Sequence, residues 1–175
     1  MTNRWSFGRI LVYSKLTIWQ LEYDLLRDQE VCWELMSEYS AYVEWKNEFG
    51  GVLKCGNGHS TFFSSPPEFG GKKGIFTPED AFVASINMCI HMTFLKVATR
   101  ARLNLLQYEC EAKGETVSEI GNIYHFSKVT LRPKIVVKDS SEEKVLRLLR
   151  IAEKNCIVSN SVKCTVEVQP EIVLK

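Results

Sequence analysis

The chain has almost no net charge: 22 lysines and arginines are set against 21 acids, a formal balance of +1 over 175 residues. That balance removes the electrostatic footprint that binding to nucleic acid requires. Histidine is scarce, with only His59, His91 and His125, and none has a ligand-like neighbour in sequence, so no metal set can be assembled. Cysteine is too sparse for a stapled secreted scaffold. The six (Cys32, Cys55, Cys89, Cys110, Cys156, Cys164) include no C-x-x-C pair, which also argues against a zinc site. The thiols are expected to be reduced, and the protein to be cytoplasmic. The first residues break up their apolar positions too often for a signal peptide. Long hydrophobic runs are missing except for residues 81–98, where Ser85, Asn87, His91, Thr93 and Lys96 would be hard to satisfy in lipid. That run reads as a helix inside protein, and no membrane partner is expected.

What is present suits one globular domain: 45% hydrophobic and 25% charged residues. Residues 1–35 stand apart, with Trp5, Trp19 and Trp33 but no clear turn or cap, and Met36 reads as a second beginning. They are treated as an N-terminal appendage or the product of an upstream start, and 36–175 as the domain. From Ala41 onward, "AYVEW", "GVLKC" and "STFFS" are short β-prone runs separated by glycine turns, which predicts a three-stranded meander. The loop "SPPEFGGKKG" follows. Its "GGKKG" lacks the ending of a phosphate loop and reads as a solvated segment.

Next comes the strongest helix signal in the chain, with Thr77 as N-cap, Pro78 at the first helical position, and Glu79 and Asp80 in the first turn. The helix is expected to run to about Arg102. Its apolar residues occupy every face between Ala81 and Phe94, which predicts a helix buried all round. Two longer strands are expected near residues 105–114 and 123–137, then a second helix capped by Ser140 and Ser141. In that helix Val145, Leu148, Leu149, Ala152 and Cys156 form the buried stripe, with Cys156 in the last turn. A final strand is placed at 162–168, and an apolar tail ends the chain.

Cys89 and Cys156 therefore both lie on apolar helix faces. A buried cysteine is most often a small hydrophobe, and Cys55, Cys110 and Cys164 are read that way. His91 points about 200° away from Cys89 on a helix, so it is read as a core histidine satisfied by a backbone carbonyl.

The local sequences add a resemblance. "TPEDAFVASINMCIHMTF", followed by "AEKNCIVSNSVKCTVEVQPEI", resembles the OsmC/Ohr superfamily, and "SPPEFGG" is similar to an OsmC-like branch carrying a PPEFGG loop. It covers Tyr42 to about Ile172. It implies an α+β fold in which curved antiparallel sheets wrap a long buried central helix accompanied by a second helix. It also implies an interlocked homodimer with its sites at the interface. In the peroxidase members the matching cysteines are peroxidatic (here Cys89) and resolving (here Cys156), and the acid ten positions before the first matches Glu79.

Ten helical residues rise about 15 Å, so Glu79 would have to serve Cys89 from the symmetry-related subunit. The implied activity is reduction of organic hydroperoxides, with an external dithiol as reductant and no cofactor. Phe82, Ile86, Met92 and Phe94 are the expected substrate pocket. Peroxidase members also carry an arginine before this helix. Between Trp45 and Glu79 the present chain offers only Lys46, Lys54, Lys72 and Lys73, of which Lys72 and Lys73 are the candidate charges near the thiolate. The alternative reading is a non-catalytic protein of the same fold that holds a small apolar or sulfur-containing ligand at the dimer interface.

Overall fold

The structure is a computed structural model that describes residues 37–47, 49–120 and 123–175. The appendage expected at residues 1–35 lies outside the described residues. Residues Ala41–Lys175 form one compact unit.

The meander is as expected. Strands β1 (Ala41–Asn47), β2 (Gly50–Cys55) and β3 (Ser60–Ser64) pair antiparallel in that order. The following loop is shaped by its own chemistry. Pro67–Phe69 makes one 3-10 turn, Gly70 takes the left-handed region at φ 83°, and the Gly70 amide donates to the Pro67 carbonyl. A Cβ on Gly71 would stand 1.5 Å from the Ser65 carbonyl oxygen, so only glycine fits there. The Lys72 amide donates to Ser64 Oγ at 3.1 Å, tying the loop back to β3.

Helix α1 (Pro78–Arg100) begins with a full capping box. Thr77 Oγ1 accepts from the Asp80 amide at 3.1 Å, and Asp80 Oδ2 accepts from the Thr77 amide at 3.0 Å. Such a cap contributes about 1 kcal/mol, and it anchors the first turn, to which Glu79 belongs. The helix then runs unbroken through Cys89.

A hairpin of two 16-residue strands follows, β4 (Asn104–Glu119) and β5 (Ile123–Lys138), antiparallel. Ser141 caps α2 (Glu142–Lys154), its Oγ accepting from the Lys144 amide at 3.3 Å. The chain ends in β6 (Thr165–Val168) and β7 (Glu171–Leu174). The fold is thus α+β, with a long central helix, a second helix and antiparallel principal pairings.

Three details differ from expectation. Strands β6 and β7 both run parallel to β5, at Lys128–Leu131 and Lys134–Val137 respectively. The α2 crossover makes parallel pairing possible, because it carries the chain back to the other end of the sheet. The apolar tail is therefore a paired strand. Helix α2 ends at Lys154, with Asn155 as its C-cap, so Cys156 lies just past the helix, still completely buried.

Thirdly, α1 is not buried on every face within one chain. Ile86, Ile90, Phe94, Val97 and Ala98 face inward, but Met88 and Met92 are 60% and 63% exposed. Among the described residues, only one side of this helix is covered. Although α1 is long and apolar enough to cross a membrane by length and composition, its inward stripe forms the core of the domain.

That core has two parts. Phe94, Val97 and Ala98 of α1 meet Ile135 and Val137 of β5 and the stripe Val145, Leu148, Leu149 and Ala152 of α2. Ile86 and Ile90 meet Val129 and Leu131 of β5 and Cys156. Each fully buried Ile, Leu or Phe contributes about 1.5–3 kcal/mol, so both ends of α1 are firmly held, and with them the position of Cys89.

Candidate functional site

The second core cluster brings together four of the cysteines. Cys156 is one of its fully buried members, and Cys89, Cys110 and Cys164 pack against it. Among these, Cys89 and Cys156 are neighbours, and the Cys156 thiol bears on the ionisation of Cys89. The two arrive from different elements. Cys89 comes from the middle of α1, where it is half-buried, and Cys156 from the turn after α2, where nothing of it reaches solvent.

The turn is over-determined by short-range bonds. The Asn160 amide donates to the Cys156 carbonyl at 3.1 Å, and the Ser161 amide to the Val158 carbonyl at 3.0 Å. Ser159 Oγ donates to the Cys156 carbonyl at 3.2 Å, and Asn160 Nδ2 reaches back to the Lys154 carbonyl at 2.9 Å. Held this way, the Ser159 amide points at Cys156 Sγ, 3.4 Å away. The preceding amide, that of Val158, faces the sulfur of Cys89. Thr93, one turn on from Cys89, donates its hydroxyl to the Cys89 carbonyl at 2.8 Å and lies beside the thiol.

Burial in the apolar cluster pushes the Cys89 thiol above its ordinary range, and the neighbouring Cys156 adds to this. The Val158 amide and the Thr93 hydroxyl work in the opposite direction. The donors facing Cys89 are thus neutral. Sequence reasoning missed both. Thr93 was open to discovery from its i, i+4 spacing to Cys89. A backbone amide has no residue-type signature at all.

The other expected site residues divide. Ile86 is fully buried beneath Cys89 in the same cluster, and Phe82 packs on that cluster while stacking against Phe126, 4.4 Å between ring centroids. Met92 lies on the exposed side of α1. Phe94 is not brought to the thiol. It is completely buried in the other cluster, tilted against Tyr108 at 5.6 Å, because two further residues along the helix carry its side chain round to the α2 side. His91 finds an aromatic ring as its neighbour and not the expected carbonyl, stacking flat on Tyr108 at 4.2 Å.

Glu79, Lys72 and Lys73 are grouped elsewhere. They line an open groove of about 560 Å³ at the start of α1, together with Pro66, Pro67 and Glu68. Ten residues of continuous helix set Glu79 about 15 Å along the axis from Cys89. Within one chain, then, the two lysines are grouped with Glu79 at the start of the helix. Glu79 Oε2 is itself buried without a hydrogen-bond partner among the described residues. No group of three or more His, Cys, Asp or Glu placed to hold a metal occurs among the described residues.

This arrangement, a half-exposed cysteine on a central helix meeting a buried one after a second helix, coincides with a family match. The OsmC family model, described as OsmC-like protein, matches residues 70–171, more than half of the chain. The chain belongs to the OsmC-like family. Its relatives include an uncharacterized protein of Bacillus subtilis (strain 168) named YmaD, 26% identical over 129 residues, covering 71% of this chain and 85% of that one. Among solved structures, an OsmC-like protein of unknown function from Vibrio cholerae superposes with a TM-score of 0.72 at 25% identity, covering 78% of this chain and all of that one. An organic hydroperoxide resistance protein OsmC from Legionella pneumophila shares the fold at a TM-score of 0.65 and 18% identity, covering 80% and 99%. One from Elizabethkingia anophelis, with thiocyanate bound, does so at 0.65 and 19%, covering 81% and 99%.

Proposed function

We propose that this OsmC-like protein is a homodimeric, thiol-dependent reductase of organic hydroperoxides, with Cys89 as the peroxidatic and Cys156 as the resolving cysteine. The observation that carries the reading is that those two cysteines, one partly and one fully buried, are neighbours inside one apolar cluster. Proteins named for organic hydroperoxide resistance have the same fold.

In the first step the Cys89 thiolate attacks the outer oxygen of R–O–OH. The O–O bond breaks, the leaving alkoxide takes a proton to become R–OH, and Cys89 becomes a sulfenic acid. The Cys156 thiol then displaces the sulfenic hydroxyl, releasing water and forming a Cys89–Cys156 disulfide. A dithiol reductant restores both thiols by two exchanges. Phe82 and Ile86 give the site an apolar wall suited to the organic portion of the substrate.

What the described residues leave uncovered supports the dimer in this reading. Met88 and Met92 on α1, and Val43 and Phe62 on the meander, are exposed apolar side chains that association would cover. Glu79, with its buried unpartnered oxygen, serves the site of the partner subunit in this reading.

A second reading, binding of a small apolar or sulfur-containing ligand without turnover, is favoured by one observation: burial raises the Cys89 thiol, and the donors facing it are neutral. The two separate in a single assay. Wild type, Cys89→Ser and Cys156→Ser are mixed with cumene hydroperoxide and a dithiol, and peroxide loss is followed. With the dithiol present the enzyme predicts turnover in wild type and none in Cys89→Ser; with the dithiol left out, Cys156→Ser consumes one equivalent and keeps a trappable sulfenic acid. Wild type that consumes no peroxide leaves the binding protein. Rates with hydrogen peroxide equal to those with cumene hydroperoxide would contradict the organic preference.

A further inference from the structure

The peroxide cycle requires that the Cys89–Cys156 disulfide be reopened, and either sulfur is in principle open to attack. The surroundings of the two are unequal. Cys89 is partly exposed in the middle of α1, whereas Cys156 is 0% exposed beneath its turn. A thiolate must approach the sulfur it attacks, and access decides which one it reaches. The departing sulfur, by contrast, needs no access but gains negative charge as the S–S bond breaks. Cys156 is the one that meets a fixed backbone donor at that atom, the Ser159 amide at 3.4 Å, aimed by the bonds that lock residues 156–161. Hydrogen bonding to the charged form favours that form.

Resting on the proposed cysteine cycle, we propose that reduction is directional: the reductant enters through Cys89, and Cys156 is the leaving sulfur, received by the Ser159 amide. A thiolate of the external dithiol attacks Cys89 Sγ, a new S–S bond forms there, and the Cys89–Cys156 bond breaks with its electron pair going to Cys156. The second thiol of the reductant, once deprotonated, attacks its own sulfur in the mixed disulfide. Cys89 leaves as thiolate, ready for the next peroxide, and the reductant departs as its disulfide. The amide of Val158 faces Cys89, so consecutive backbone amides of one turn attend the two sulfurs in the two halves of the exchange.

The test avoids peroxide so that the two proposals fail separately. The full chain is oxidised with diamide, which links a close dithiol pair without peroxide chemistry. It is then exposed briefly to 2-mercaptoethanol, quenched in acid, alkylated with N-ethylmaleimide and mapped by mass spectrometry. The expected result is the mercaptoethanol adduct on Cys89 and the alkyl group on Cys156, favoured by about tenfold or more over the reverse. Equal or greater adduct on Cys156 overturns the direction. Ser159→Ala keeps the amide and removes the hydroxyl, and it should leave the ratio unchanged. A reversed ratio in that variant would overturn the role given to the amide. Failure of diamide to link Cys89 and Cys156 overturns both proposals, whereas a linked pair in a protein that consumes no hydroperoxide sinks the peroxidase reading alone.

Discussion

Cys89 and Cys156 are neighbours in one apolar cluster although one lies in the middle of α1 and the other beyond the end of α2. Their proximity depends on Ile86 and Ile90 packing against Val129 and Leu131, since that layer fixes the height of α1 over the hairpin. It is a tertiary fact, and its consequences reach beyond the two sulfurs.

The exposed side of α1 gives the first prediction. Met88→Asp with Met92→Asp puts charge on a face that a partner subunit would bury, without touching the inward stripe. Sedimentation should report a dimer for wild type and a monomer for the double variant, whose denaturant midpoint extrapolated to a single chain is little changed. Hydroperoxide turnover should fall by on the order of a hundredfold, the cost of a displaced catalytic partner group. A monomeric wild type, or full activity in a monomeric variant, contradicts the interface.

Phe94 provides the second. Because it is completely buried in the α2-side cluster, Phe94→Ala should cost about 3–5 kcal/mol of stability by urea denaturation. At a temperature where the variant is folded, kcat/KM for cumene hydroperoxide should stay close to wild type. A selective loss of kcat/KM with little loss of stability would return Phe94 to the substrate pocket.

Tyr108 supports a third, on pH. Its hydroxyl is buried without a hydrogen-bond partner among the described residues, and burial, then the adjacent Cys110 thiol, hold it well above the ordinary tyrosine range. The folded state therefore keeps this proton more tightly than the unfolded state, whose tyrosine ionises near about 10. Stability from this group is complete below about pH 10 and is lost as pH rises beyond it, by up to about 1.4 kcal/mol per pH unit. Tyr108→Phe keeps the ring stacked on His91 and should flatten the fall in urea midpoint above pH 10. Cys110, also pushed up by burial, adds a loss that begins at lower pH in both proteins. Identical alkaline profiles would contradict the assignment.

What the sequence made legible is what short-range chemistry dictates. The start of α1 is written in Thr77, Pro78 and Asp80 because a cap is a bond between residues three apart. The stripe Val145, Leu148, Leu149 and Ala152 is likewise local, and all four are buried. Neither the direction of β6 and β7 nor the halt of α2 before Cys156 has such a mark: a short apolar run pairs in either sense, and the stripe continues past the cap. The two faces of α1 read alike because the exposed Met88 and Met92 are as apolar as the side chains that face the core. The resemblance to OsmC proteins singled out Cys89 and Cys156, but which donors attend each sulfur depends on backbone amides at 158 and 159, which any residue other than proline supplies.

The most direct measurement is the fate of those two sulfurs after a single exposure to substrate. One equivalent of cumene hydroperoxide is added to the reduced protein without reductant, free thiols are blocked, and the chain is mapped by mass spectrometry. The account predicts loss of the peroxide with a disulfide joining Cys89 to Cys156, while Cys55, Cys110 and Cys164 remain alkylated. Peroxide left unconsumed, or oxidation at other cysteines with Cys89 and Cys156 still free, would contradict it.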